Sequence, residues 1–223
     1  MTGWDRGSAP PLPTETRPLA AGVFMAAIEP DVIVLDLATD TYACLPHARD
    51  DLSILGPSVE AELGLLGLLA DAGLLGDASR SSPGIALDPP VRGFPARPSL
   101  WSIPAAASLV VAAATARRLG PLAPIRTLIS ALPSPPVGHA DTARVAAVVA
   151  AFTRLLPWVP DQGACLYRAF VLLSMLRRAG QNAVWVFGVR TWPFSAHCWL
   201  RIGDAVLDDD PERVSHYTPI MEV

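Results

Sequence analysis

Cys165 follows Pro160-Asp161-Gln162-Gly163-Ala164 and opens a segment with helical periodicity. A thiol at a helix N-terminus feels the positive end of the helix dipole, which lowers its pKa and raises the thiolate fraction. His197 lies further on in a strand-like segment, and Asp208, Asp209 and Asp210 follow a second short strand. A cysteine nucleophile needs a histidine base, and the histidine needs an orienting carboxylate. These residue types, in this order, suit acyl chemistry at a carbonyl. A buried cysteine and a core histidine are the alternative reading of the same residues. Which aspartate serves His197 stays open. On a regular strand over 204–209, Asp209 would face with Leu207, and Asp208 and Asp210 would face the other way. The backbone N–H of Cys165 is a natural oxyanion donor, and Gln162 is a candidate for a second. A polar loop residue is the equal alternative for Gln162.

Other residues near this set are weighed for substrate contact. Arg190 precedes the His197 strand and could hold a substrate carbonyl or acidic group, or brace the loop before Trp192-Pro193. Trp185, Trp192, Phe194 and Trp199 read mostly as core aromatics; Trp192 and Phe194, which flank Pro193 in a loop, are also candidates to line the cleft. Cys198 should point away from His197 on a strand and reads as a small packed thiol. Cys44 and His47 are too few for a zinc site, which wants four ligands. His139 and His216 read as surface residues. No phosphate-binding glycine loop, GxSxG elbow or HExxH occurs, which argues against an autonomous ATPase, a serine hydrolase or a zinc protease. No cofactor or metal is called for.

The elements that must position these groups are legible in outline. Leu166, Ala169, Phe170, Leu173 and Leu176 form one stripe of a helix over 163–179, with Arg177 and Arg178 in its last turn and Gly180 as its stop. Strands are expected over 183–189, 196–202 and 205–207. Two helices precede, over 104–119 and 139–156, the second capped by Asp141. Near the other end, 22–28, 32–37 and 41–45 read as strands. Val59, Leu63, Leu66 and Ala70 then lie on one helical face, with Ser58 as N-cap and Gly73 or Gly76 as stop. The expected organisation is therefore α+β: a disordered start over 1–18, a β-β-β-α unit over 19–77, a proline-rich linker over 78–103, and helices followed by an antiparallel sheet over 104–223.

Composition narrows the function classes. The chain has 223 residues, a net charge of −4 and no lysine, so it lacks the basic footprint of a nucleic-acid binder. Three widely spaced cysteines make no disulfide framework and fit a reducing cytoplasm. No secretory signal is visible in the polar first twenty residues. The apolar run from Ile103 to Ala116 is too short to span a bilayer, which takes roughly 20 residues.

The stretch from Val186 to Trp199, with Gly188-Val189-Arg190, Pro193-Phe194 and His197 two residues before Trp199, resembles the lasso-peptide B proteins. The start of the Cys165 helix, the Val206–Pro211 turn and the Tyr217–Ile220 tail match in order and spacing. The resemblance implies a transglutaminase-like cysteine protease with Cys165, His197 and Asp209 as its triad. Two positions depart from the pattern: Arg201 stands where an acidic residue is usual, and Asp208 where asparagine is frequent. More loosely, residues 19–77 are similar to the winged-helix-like leader-recognition domain related to the pyrroloquinoline quinone chaperone. Such domains add the leader as a strand to a sheet edge, which here would be Tyr42, Ala43 and Cys44. The resemblance also implies two partners, a lasso precursor peptide and an ATP-dependent, asparagine-synthetase-like cyclase. A non-catalytic scaffold presenting precursor to the cyclase, and an acyl transferase using the same triad, are the alternatives.

Overall fold

The computed structural model describes residues 13–77, 92–94, 103–138, 140–158 and 165–223. Its centre is a five-stranded sheet in the order β11-β8-β9-β10-β7, built from β8 (Val184–Arg190), β9 (Ser195–Ile202), β10 (Ala205–Val206), β11 (Thr218–Glu222) and β7 (Arg92–Gly93). All neighbours are antiparallel except β10 and β7. Helix α5 (Cys165–Arg178) packs on β9, and α2 (Ile103–Leu119) and α4 (Thr142–Leu155) pack on α5. Every residue of α5 from Ala169 to Leu176 is buried, so the helix is enclosed on all sides rather than along one stripe. Its stop is a Schellman turn at Gly180 (φ 72°). There the Gly180 and Gln181 N–H groups donate to the carbonyls of Arg177 and Leu176. Asp141 caps α4, accepting from Ala143 and Arg144 N–H. No helix among the described residues is long and apolar enough to cross a membrane.

Several boundaries differ from expectation. Proline-flanked residues read as turns form a short helix, α3 (Ile125–Ala131), and the tail read only as a motif is strand β11, paired with β8. The stretch read as a disordered start contains β1 (Thr14–Pro18). The linker contributes β7, and Arg92 pairs with Asp204 at 3.0 Å. Most of the proline-rich stretch, and His139, lie outside the described residues.

Residues 13–77 form six strands and one helix, which replaces the expected winged-helix-like β-β-β-α unit. Strands β2 (Val23–Ile28), β3 (Asp31–Asp36) and β4 (Thr41–Leu45) make one sheet. Strands β5 (Leu52–Leu55) and β6 (Ser58–Glu62) join β1 in a second. Ser58 therefore begins a strand and caps no helix. Val59 and Ala61 are buried while their neighbours are less so, a period of two. The helix, α1 (Leu63–Asp71), starts after Glu62.

The β2-β3-β4 sheet is apolar on both faces. Val23, Val32 and Val34 share a core with Leu52, Val59 and Leu66. Ile33, Leu35 and Leu37 share a different core with α5 and the five-stranded sheet. The unbroken Val32-Ile33-Val34-Leu35 run reflects burial on both sides. The two halves are joined again where Ile125 N–H, at the start of α3, donates to Asp40 Oδ1 at 3.0 Å.

Candidate active site

Helix α5 places Cys165 at its first turn, against β9. His197, near the start of β9, has its Nε2 2.6 Å from Asp209 Oδ2. The side chains are 13% and 9% exposed, so the pair is largely withdrawn from water. With Nε2 committed to Asp209, Nδ1 is the nitrogen left to serve Cys165, whose thiol pKa His197 helps to lower. The ring lies 5.2 Å from Tyr217 and stacks at 6.2 Å on Trp199. Trp199 is buried over Gly188, where a Cβ would come within 2.7 Å of the indole. Any side chain at Gly188 would push on the platform under His197.

The aspartates divide by position. Strand β10 ends at Val206, so residues 207–209 form a bend and the expected alternation to residue 209 does not apply. Asp209 faces His197, and its Oδ1 accepts from Asp210 N–H at 2.8 Å, with Arg213 at 3.4 Å. Asp208 Oδ1 accepts from Leu200 N–H at 2.8 Å and so fastens the bend to β9. Asp210 caps the short helix α6 (Pro211–Ser215). Arg168, one turn after Cys165, donates to the Asp208 carbonyl at 2.9 Å. One helix thus carries the thiol and holds the bend that carries the carboxylate.

Electrostatics follow from these contacts. Hydrogen bonding by the Cys198 thiol is the largest influence on Cys165; with further bonds from His197 and the Cys198 backbone it outweighs burial and brings the thiol down to about 4. The hydrogen bond to Asp209, then that to Cys165, raises His197 to about 10 against its burial. Burial pushes Asp209 upward, yet the bonds from His197 and Asp210 N–H hold it below the usual carboxylate value. Between those limits the stable form is a thiolate–imidazolium pair, which is ready to attack a carbonyl and to protonate a leaving group. Iodoacetamide at pH 5 should therefore alkylate Cys165 and spare Cys44 and Cys198, both of which are raised. Peptide mapping by mass spectrometry reads this directly; a Cys165 that reacts only above pH 8 would mean no such pair forms.

The remaining sequence candidates fall in different places. Trp192 and Phe194 are exposed and line a pocket with Tyr42, Ala43 and Cys44. Arg190 lies outside that pocket and stacks on Tyr217 at 5.3 Å. Arg201, a departure from the B-protein pattern, is buried and donates to the Gly203 carbonyl, so that position turns inward. Gln162 lies outside the described residues. As the first residue of α5, Cys165 has a backbone N–H with no intrahelical partner. Two residues were undervalued in the sequence. Cys198 is indeed a buried thiol, but it is the largest influence on the pKa of Cys165, and Arg168 is a charge one turn along from the nucleophile, ahead of the apolar run from Ala169 to Leu173. Adjacency to His197 and spacing from Cys165 were the available signals.

Residues 106–222, more than half of the chain, match the transglutaminase-like superfamily. The chain belongs to that superfamily. Its members are generally cysteine peptidases and acyltransferases. The chain is also similar to the microcin J25-processing protein McjB of Escherichia coli, at 34% identity over 59 residues. That alignment covers 26% of this chain and 28% of the relative. No solved structure matches.

Proposed function

We propose that this transglutaminase-like protein is a cysteine peptidase that binds the leader of a lasso-peptide precursor and cuts it from the core. The observation that carries the reading is the largely buried His197–Asp209 pair at 2.6 Å; the same imidazole helps to lower the pKa of Cys165, at the start of α5. Similarity to a microcin-processing protein and the resemblance of residues 186–199 to the B proteins supply the substrate class.

In this reading residues 19–77 hold the leader and residues 104–223 do the chemistry. The Cys165 thiolate attacks the carbonyl of the last leader residue. The Cys165 backbone N–H stabilises the oxyanion. The His197 imidazolium gives its proton to the leaving amine, which is the new N-terminus of the core. The leader is left as a thioester on Cys165. His197, now neutral, takes a proton from water, and the hydroxide releases the leader as a carboxylate. An ATP-dependent, asparagine-synthetase-like cyclase would then close the freed amine onto an Asp or Glu side chain of the core.

The test uses the whole chain and the short precursor encoded nearest to it, with and without a primary amine such as hydroxylamine. Mass spectrometry should find free leader ending in a carboxylate. A leader–amine adduct in place of the acid would make the protein an acyl transferase, and intact precursor under all conditions would leave only a scaffold role.

A further inference from the structure

The β4 strand is an edge of its sheet. Across β3, Tyr42 pairs with Leu35 and Cys44 with Ile33, so Tyr42 and Cys44 share the face that turns toward the catalytic half. That face is sealed at Ile33 and Leu35, both 0% exposed, but open at Cys44. Over the open end stands the loop between β8 and β9. Its two large side chains, Trp192 and Phe194, are 78% and 52% exposed.

The loop is held in place rather than loosely draped. Trp192 has φ 53°, a region that bulky residues leave unless the surroundings hold them there. Its indole N–H donates to Asp31 Oδ2 at 3.1 Å. Asp31 is itself buried, and its other oxygen accepts from His47 N–H at 3.1 Å. Phe194 lies 5.6 Å from the Tyr42 ring. Tyr42, Ala43 and Cys44 from one half and Thr191, Trp192 and Phe194 from the other border a half-open apolar pocket of about 150 Å³. Apolar cavities of about this size hold a benzene-sized group. Phe194 is three residues before His197, and the Tyr42 hydroxyl is near enough to Cys165 to feel its charge. Tyr42, pushed up to about 12 mainly by burial, stays neutral and presents no charge to an apolar guest.

We propose that this pocket, between the open β4 edge and Trp192–Phe194, is a specificity site for one Leu-, Ile-, Met- or Phe-sized side chain of the peptide substrate, upstream of the bond that is cut. An extended peptide added to β4 would direct alternate side chains onto the face shared by Tyr42 and Cys44. The occupant lies on the leader side because the leader is the part assigned to β4. A site built from both halves sets the spacing between the bound leader and Cys165. Asp31 is a positioning residue that acts through Trp192. The proposal rests on the peptidase reading for what is cut, but occupancy of the pocket can be measured without cleavage.

The probe is a synthetic peptide library, randomised and selected on full-length Cys165→Ala protein. Selected peptides should carry a large apolar residue at one fixed position. In that protein Cys44 is the exposed thiol and Cys198 is buried. A selected peptide at ten times its Kd should slow modification of Cys44 by N-ethylmaleimide about tenfold. Adding Cys44→Phe should fill the pocket and shift the selected residue to Gly or Ala. Asp31→Ala, which frees Trp192, should weaken the positional preference while leaving Cys165 alkylation at pH 5 intact in the Asp31→Ala single variant. Peptides without a fixed apolar position, an unchanged preference in Cys44→Phe, or unprotected Cys44 would each overturn the proposal. Cleavage by the wild-type chain with Cys44 unprotected removes the pocket and keeps the peptidase. Protection of Cys44 with no cleavage does the opposite.

Discussion

Cys165→Ala should abolish release of the leader while leaving precursor binding near its wild-type strength. Removing the nucleophile of a comparable triad costs on the order of 10⁶ in kcat. No described thiol can substitute: Cys198 is buried and its pKa is raised, and Cys44 lies on the other half of the chain. The β4 edge and the Trp192 loop do not depend on the sulfur, so affinity should persist. Single-turnover cleavage followed by mass spectrometry, with fluorescence anisotropy for binding, separates the two effects. Cleavage at a rate near wild type would remove Cys165 as nucleophile and with it the peptidase mechanism.

Asp209→Asn should lower kcat by about 10⁴, equivalent to about 5 kcal/mol of transition-state stabilisation. Both carboxylate oxygens are in use, one by His197 Nε2 and the other by Asp210 N–H with Arg213 nearby. An amide has only one oxygen. Turned toward Asp210 and Arg213, it presents NH₂ to Nε2 and forces the imidazole proton onto Nδ1, leaving no imidazolium. Turned toward His197, it sets its NH₂ against two donors. The first arrangement removes the thiolate's charged partner and the second opposes donors at the Asp210 N–H and Arg213, so the pH at which Cys165 begins to alkylate should move upward. Asp208→Asn is the informative control, because the amide oxygen can still accept from Leu200 N–H. Its activity should stay close to wild type. Its stability should differ in a definite direction. Burial, the largest influence, raises Asp208 from 3.8 to about 7. A carboxyl raised on folding contributes stability that is complete below the unfolded value and is lost as pH rises through the folded one. Wild type should therefore lose stability between about pH 4 and pH 7 relative to the asparagine variant, as read by chemical denaturation at pH 5 and pH 8. A larger loss of activity at Asp208 than at Asp209 would reverse the two roles.

The sequence by itself carried what is local. The apolar stripe and Gly180 located α5 within two residues at each end, because burial of a helix face is written at intervals of three and four. The Val184–Arg190 and Ser195–Ile202 strands were visible as short runs after Gly180, and most of each is buried on successive residues, as cover on both faces requires. Cys165, His197 and an aspartate cluster were singled out because nucleophile, base and carboxylate are recognisable by residue type and order along the chain. Tertiary structure decided the rest. Val59 and Leu63 fit helical spacing as well as they fit the end of one element and the start of another. Pairing of β6 with β1, more than forty residues away, settled the matter. Likewise β7 gains its partner from β10, a contact with no local pattern. The bend after Val206 turned Asp209 to His197 and Asp208 to Leu200 N–H, a choice among three identical side chains that spacing could not make. Cys198 reached the nucleophile only because α5 lies across β9. The unbroken apolar run of β3 reflects cover on both faces, and only the tertiary structure showed that the second cover is the catalytic half. Periodicity records which face leaves water; the partner that replaces the water is fixed only when distant elements pack together.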